Sequence, residues 1–234
     1  MPCPYITIII HHHQEQTMTD RRQFLGTLAT AGAATLVSPG VASASPAAIR
    51  QQKWDMTWLA AVKAKAHKQV YDMGTLDTGG VSPLHFAHFW LEANKEVYGS
   101  TDAQMAAIVG IAGNAFPMAF KDAMWAKYPL GEHWKVDDPK TKASSKRNVF
   151  ADPNETGMFA AFTVQALQKR GVIVWMCNNA LTLISGTMAD NTKQQHDVVY
   201  NEFKAGLLPG VKLVVSHTMM LTACQEKGCA YQRV

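Results

Sequence analysis

Gly171-Val172-Ile173-Val174-Trp175-Met176-Cys177-Asn178-Asn179-Ala180-Leu181 is the stretch whose reading decides the fold. Val172 to Met176 is apolar at every position, without the alternation of a half-exposed strand, and has the length of a strand covered on both faces. Asn178 to Met188 can wind as a helix, so Cys177 stands where a buried strand hands over to a helix. Met105 to Ala112 is a second apolar run of strand length, stopped by Gly113-Asn114. Gln69 to Met73, Val211 to Val215 and Cys229 to Val234 read as three more strands.

The intervening segments carry helical spacing. Trp54, Trp58, Ala61 and Val62 recur every three or four residues with Lys63 and Lys65 opposite. Ser82-Pro83 opens a helix to about Tyr98, since proline's missing N–H has no partner in a first turn. Pro117 to Tyr128 reads as another helix, and Pro129 to Pro153 as a long polar excursion. Asp152-Pro153-Asn154-Glu155 has the chemistry of a helix start, and that helix is expected to close at Gly171 behind Lys169 and Arg170. Lys193 to Ala205 and Thr218 to Lys227 complete the set. Strands alternating with helices of this length predict an α/β fold, a mostly parallel sheet with helices on both faces. Ligands of such sheets sit beyond the carboxyl ends of the strands. That rule nominates Asp77, Asn114, Cys177, Asn178 and His217, each leaving a strand, as lining one pocket.

Upstream, Thr19-Asp20-Arg21-Arg22-Gln23-Phe24-Leu25, the weakly apolar Gly26 to Val37 and the small-x-small Ala42-Ser43-Ala44 read as a twin-arginine export signal cut after Ala44. The apolar run is too short for a membrane span, so no stable anchor is expected after cleavage and the mature chain is expected in the periplasm. Met18 is a natural start for that signal, which leaves Cys3 and His11-His12-His13 without an expected role. Residues 1–44 are therefore read as extension and signal, 45–67 as a leader and first helix, and 68–234 as the domain.

The formal charge is +4, without a dense basic stripe interleaved with aromatics, so nucleic acid is not an expected partner. Lys140, Lys142, Lys146 and Arg147 cluster in a segment that reads as a solvated loop. Three cysteines remain after the signal, Cys177, Cys224 and Cys229. In an oxidising compartment an odd number leaves at least one thiol unpaired within the chain.

Cys177 admits two readings. A helix N-terminus stabilises a thiolate and so makes a nucleophile, while a buried cysteine also serves as a small hydrophobe. Cys224 and Cys229 flank Gly228, where a turn could bring them within disulfide range; inert thiols or redox partners of Cys177 are the alternatives. His85 and His88 share a helix face and His217 leaves a strand, but no carboxylate or cysteine stands at a metal-site spacing, and packing is the expected role of the helical pair. No phosphate loop, HExxH or GxSxG motif occurs, and the sequence names no cofactor.

Three stretches carry a family likeness: Gly171 to Leu181, Leu208-Pro209-Gly210-Val211-Lys212-Leu213-Val214, and Gln225-Glu226-Lys227-Gly228-Cys229-Ala230-Tyr231. Together they resemble the DsrE/DsrF-like family, with looser similarity back to about Lys68. The resemblance implies a three-layer α/β/α sandwich around a five-stranded sheet, assembly as a homo-oligomer, and a persulfide carried on a cysteine after the third strand. Cys177 holds that position, with Asn178 and the helix amides as its implied stabilisers, and a sulfur donor or acceptor protein as the implied partner. Two departures stand beside it: known relay members are cytoplasmic, and relatives more often show an aromatic or apolar residue where Cys229 stands. The expectation is thus a sulfur carrier. The alternatives are a ligand-binding module, or an accessory subunit with an interface around Phe86, Phe89 and Trp90.

Overall fold

The structure, a computed structural model, describes residues 54–77, 82–151 and 157–234. The export signal, its cleavage site, Cys3, the His11-His12-His13 run, the leader up to Gln52 and the helix start at Asp152 to Glu155 lie outside these residues.

Five strands form one sheet: β1 (His67–Met73), β2 (Met105–Ile111), β3 (Ile173–Cys177), β4 (Lys212–Val214) and β5 (Ala230–Arg233). Every pairing is parallel and the order is β4-β3-β2-β1-β5. The protein is an α/β sandwich. β2 is buried at all seven positions, as its unbroken apolar sequence requires at the centre of a sheet covered on both sides.

Among the described residues, the helices are α1 (Trp58–Lys63), α2 (His85–Tyr98), α3 (Asp122–Lys127), α4 (Leu130–Trp134), α5 (Val164–Lys169), α6 (Asn178–Thr192), α7 (His196–Ala205) and α8 (His217–Glu226). Alternation along the strands sorts the core into two clusters. Tyr71, Met73, Val109, Ile111, Val174 and Met176 point to one face, where they meet Leu91 of α2, Leu167 of α5, Leu181 and Met188 of α6 and Phe203 of α7. Val70, Ala106, Ile108 and Trp175 point to the other, against Trp58 and Val62 of α1 and Met220, Leu221 and Cys224 of α8.

The connections follow from chirality. β1 to β4 advance one place at a time with their helices on one face, and the return from β4 to β5 runs the opposite way across the sheet. A right-handed crossover in that reverse direction must put α8 on the opposite face. β3 and β4 are neighbours, yet the helices that leave them diverge to opposite faces. The crevice between such diverging connections is where open α/β sheets place their sites.

One row across the sheet has a special shape. Parallel register aligns Arg233, Asp72, Gly110, Trp175 and Lys212 on the five strands. A Cβ on Gly110 would stand 2.5 Å from the Trp175 ring, so the glycine leaves the space into which the indole lies.

Several boundaries differ from the sequence reading. Pro117 to Tyr128 is not one helix: a 3₁₀ segment, Gly113–Ala119, carries Pro117 and gives way to extended backbone before α3 begins. The helix before Gly171 is only α5, which Thr163 caps by accepting from the Ala166 N–H at 3.2 Å. The polar excursion from Pro129 to Pro153 contains α4, and although Lys140, Lys142 and Lys146 are exposed as expected, its backbone is knitted into the core. Ser145 and Asn148 are buried, the Asn148 amide donates to the Met118 and Phe120 carbonyls, and Arg147 clasps Asp138 with two hydrogen bonds.

Replacing Gly110 with alanine is expected to cost about 1–3 kcal/mol of stability through overpacking against Trp175, measured as a lowered urea midpoint.

Candidate functional site

Cys177 is the last residue of β3 and the N-cap of α6, with extended backbone (φ −76°, ψ 123°). Its Sγ does not bond the amides of its own helix. It accepts instead from the backbone N–H of His217, the first residue of α8, at 3.3 Å. The thiol thus lies in the crevice between the diverging helices, at the start of one and facing the start of the other. The sulfur meets a first-turn N–H that α8 itself leaves without a partner. Cys177 is 5% exposed.

The His217 side chain turns away from the sulfur and joins a chain of hydrogen bonds across the sheet. The Trp175 indole N–H donates to His217 Nδ1 at 3.2 Å. Since an indole nitrogen can only donate, the proton of the neutral imidazole sits on Nε2. Nε2 meets Asp72 Oδ1 at 2.7 Å, and the Tyr231 hydroxyl donates to Asp72 Oδ2 at 2.6 Å. Burial pushes the Asp72 carboxyl up, but hydrogen bonds from Tyr231 and His217 and the nearby Arg233 charge outweigh it and hold the group below the ordinary carboxylate range. Trp175, Asp72 and Tyr231 fix the ring, and with it the first turn of α8 that supplies the donor to Cys177.

The residues nominated from sequence do not share one pocket. Asp77 and Asn114 line a cavity of about 620 Å³ beyond β1 and β2, together with Gly113, His133, Trp134 and Lys135. Cys177 and His217 meet elsewhere, on the side of the sheet that carries α8. Asn178 is committed differently again: its Oδ1 accepts from the Tyr200 hydroxyl at 2.7 Å and ties α6 to α7. The single pocket is corrected to separate places because Cys177 faces α8, which the return from β4 to β5 carries to the opposite side of the sheet from the helices that follow β1, β2 and β3. Asp72, Trp175 and Tyr231 went unnominated, although an acid inside the apolar run Val70-Tyr71-Asp72-Met73 is a legible sign of a paired buried carboxylate.

His85 and His88 are occupied in packing. His85 Nδ1 lies 2.8 Å from the Ser82 carbonyl oxygen and His88 Nδ1 3.2 Å from Arg170; the His85 ring packs with Phe86, Phe89 and Phe162, and the His88 ring with Phe89 and Phe162. Among the described residues no three His, Cys, Asp or Glu side chains gather as metal ligands would. None of the described helices is long and apolar enough to cross a membrane. No protein-family model matches the chain, and no curated protein matches it either.

A group held below its unfolded value binds fewer protons when folded, so its contribution is complete above the ordinary carboxylate value near 3.9 and is lost as pH falls through the lowered one. Wild type should therefore exceed Asp72→Asn in stability at neutral pH, and the gap should close on acidification, as read from urea unfolding at graded pH.

Proposed function

We propose that this chain is an exported, DsrE/DsrF-like thiol protein that accepts and passes sulfane sulfur on Cys177. The observation that carries the reading is the sulfur's position in the crevice between two helix N-termini, hydrogen-bonded to the His217 N–H. A persulfide is a stronger acid than a thiol and is anionic at neutral pH, so this surrounding suits the loaded state even better than the empty one.

The transfer balances simply. The Cys177 thiolate attacks the outer sulfur of a donor persulfide, a sulfur–sulfur bond forms on Cys177, and the donor leaves as its own thiolate. Passing the sulfur on is the same displacement with the acceptor thiolate attacking. His217, Asp72, Trp175 and Tyr231 act by position, holding the donor amide in place. At 5% exposure the sulfur is shielded from bulk oxidants, and a donor approaches along the crevice between α6 and α8. The chain works in the periplasm without a membrane anchor, as a homo-oligomer with a donor or acceptor protein as its transient partner. The half-exposed Phe89 on α2 supports an interface on that helix, whereas Phe86 and Trp90 pack against the core.

The test is intact mass spectrometry of the mature protein before and after a sulfane-sulfur donor, in wild type and Cys177→Ser. Wild type should gain the mass of one sulfur atom and the variant none. An unmodified wild type would overturn the proposal.

A second reading, a binding module for a small ligand, is favoured by the cavity of about 620 Å³ at Asp77 and Asn114. Its size is that of small-molecule sites, and it offers an aromatic wall at Trp134 with Lys135 and His133 beside it. Native mass spectrometry of protein isolated under mild conditions would then show a bound small molecule, and Asn114→Trp should expel it; ligand-free wild type would contradict this reading.

A further inference from the structure

Helix α8 ends in the sequence Cys224-Gln225-Glu226-Lys227-Gly228-Cys229. Lys227 is its C-cap and Gly228 follows in the left-handed region at φ 84°. The Gly228 N–H donates to the Gln225 carbonyl at 2.8 Å and the Cys229 N–H to the Cys224 carbonyl at 3.1 Å. This pair of bonds is a Schellman motif, whose reversal brings together the side chains of the third-last helical residue and the second residue beyond the cap. An apolar pair usually fills those positions. Here both are cysteines, free thiols in the same buried cluster. Two cysteines five residues apart on a regular helix could not be bridged, but the reversal turns the second back toward the first.

The surroundings distinguish the two. Cys224 is fully buried near the negative end of α8, while Cys229 is 7% exposed at the turn. The Lys68 side chain lies over Gly228, where an added Cβ would stand 3.2 Å from its Cε. The neighbouring Cys224 thiol and the Lys68 charge hold the Cys229 thiol down despite burial, and its neighbour and burial push Cys224 up. Cys224 lies seven residues along α8 from His217, about 10 Å of helix rise, beyond disulfide reach of Cys177.

We propose that Cys224 and Cys229 form a thiol–disulfide exchange pair, independent of Cys177, that reacts with disulfide oxidants. The Cys229 thiolate attacks one sulfur of the oxidant and displaces one thiolate, leaving a mixed disulfide on Cys229. Cys224 then gives up its proton and attacks the Cys229 sulfur, displacing the second thiolate. Two protons and two electrons leave the protein, and the oxidant becomes two thiols. The bridge ties the end of α8 to the start of β5, the strand that carries Tyr231.

The test equilibrates wild type and Cys177→Ser in oxidised and reduced glutathione at graded ratios, followed by acid quench, alkylation and peptide mapping. Two thiols should vanish together in both proteins, with loss of the mass of two hydrogen atoms and a cross-link between residues 224 and 229. Cys224→Ser should trap glutathione on Cys229, and Cys229→Ser should remain unmodified at Cys224. Thiols that persist at the most oxidising ratio, a bridge that includes Cys177, or glutathione on Cys224 in Cys229→Ser would each overturn the proposal.

Discussion

The hydrogen bond from the His217 amide to the Cys177 sulfur joins two helices that the fold otherwise drives apart. Right-handed crossover obliges α6 to pack on one face of the sheet and α8 on the other, although they leave adjacent strands. Their first turns must then part at the strand ends, and each exposes amide groups that its own helix cannot satisfy. A sulfur at that fork answers one of those amides. A carbon side chain there would leave it without this partner.

Everything else around the fork maintains its geometry. Gly110 has no side chain, so the Trp175 indole can cross β2. The indole N–H selects the tautomer of His217, and Asp72, held ionised by Tyr231 and His217, takes the remaining ring proton's hydrogen bond. The row thus reaches from β3 through α8 to β1 and β5, four separate elements bound by three hydrogen bonds. A buried polar chain of this kind is costly when incomplete, so its members stand or fall together.

The five strands, their parallel sense and the position of Cys177 were legible in the sequence, because buried parallel strands leave apolar runs such as Met105 to Ile111 that few other structures explain. Cys224 and Cys229 were legible as a pair around Gly228, since a glycine after a helix announces a reversal. The grouping of the site was not. Strand order decides which ends are neighbours, and no local pattern shows that β4 returns past three strands to β5. Asp77 and Asn114 were therefore grouped with Cys177, while Asp72 and Tyr231, remote in sequence and joined only by the pairing of β1 with β5, went unseen. The segment around Asn148 misled for a related reason: its polar residues look solvated, but the amide satisfies two backbone carbonyls inside the fold.

The most direct measurement compares the rate at which iodoacetamide alkylates Cys177 in His217→Ala and His217→Pro. Both variants remove the imidazole, but only proline removes the amide, and the site accepts it: proline suits the first position of a helix, and Ser216 before it is extended (ψ 134°) as a residue preceding proline should be. The account predicts markedly slower alkylation in the proline variant than in the alanine variant. Equal rates in the two folded proteins would contradict the claim that the His217 amide acts on the Cys177 sulfur.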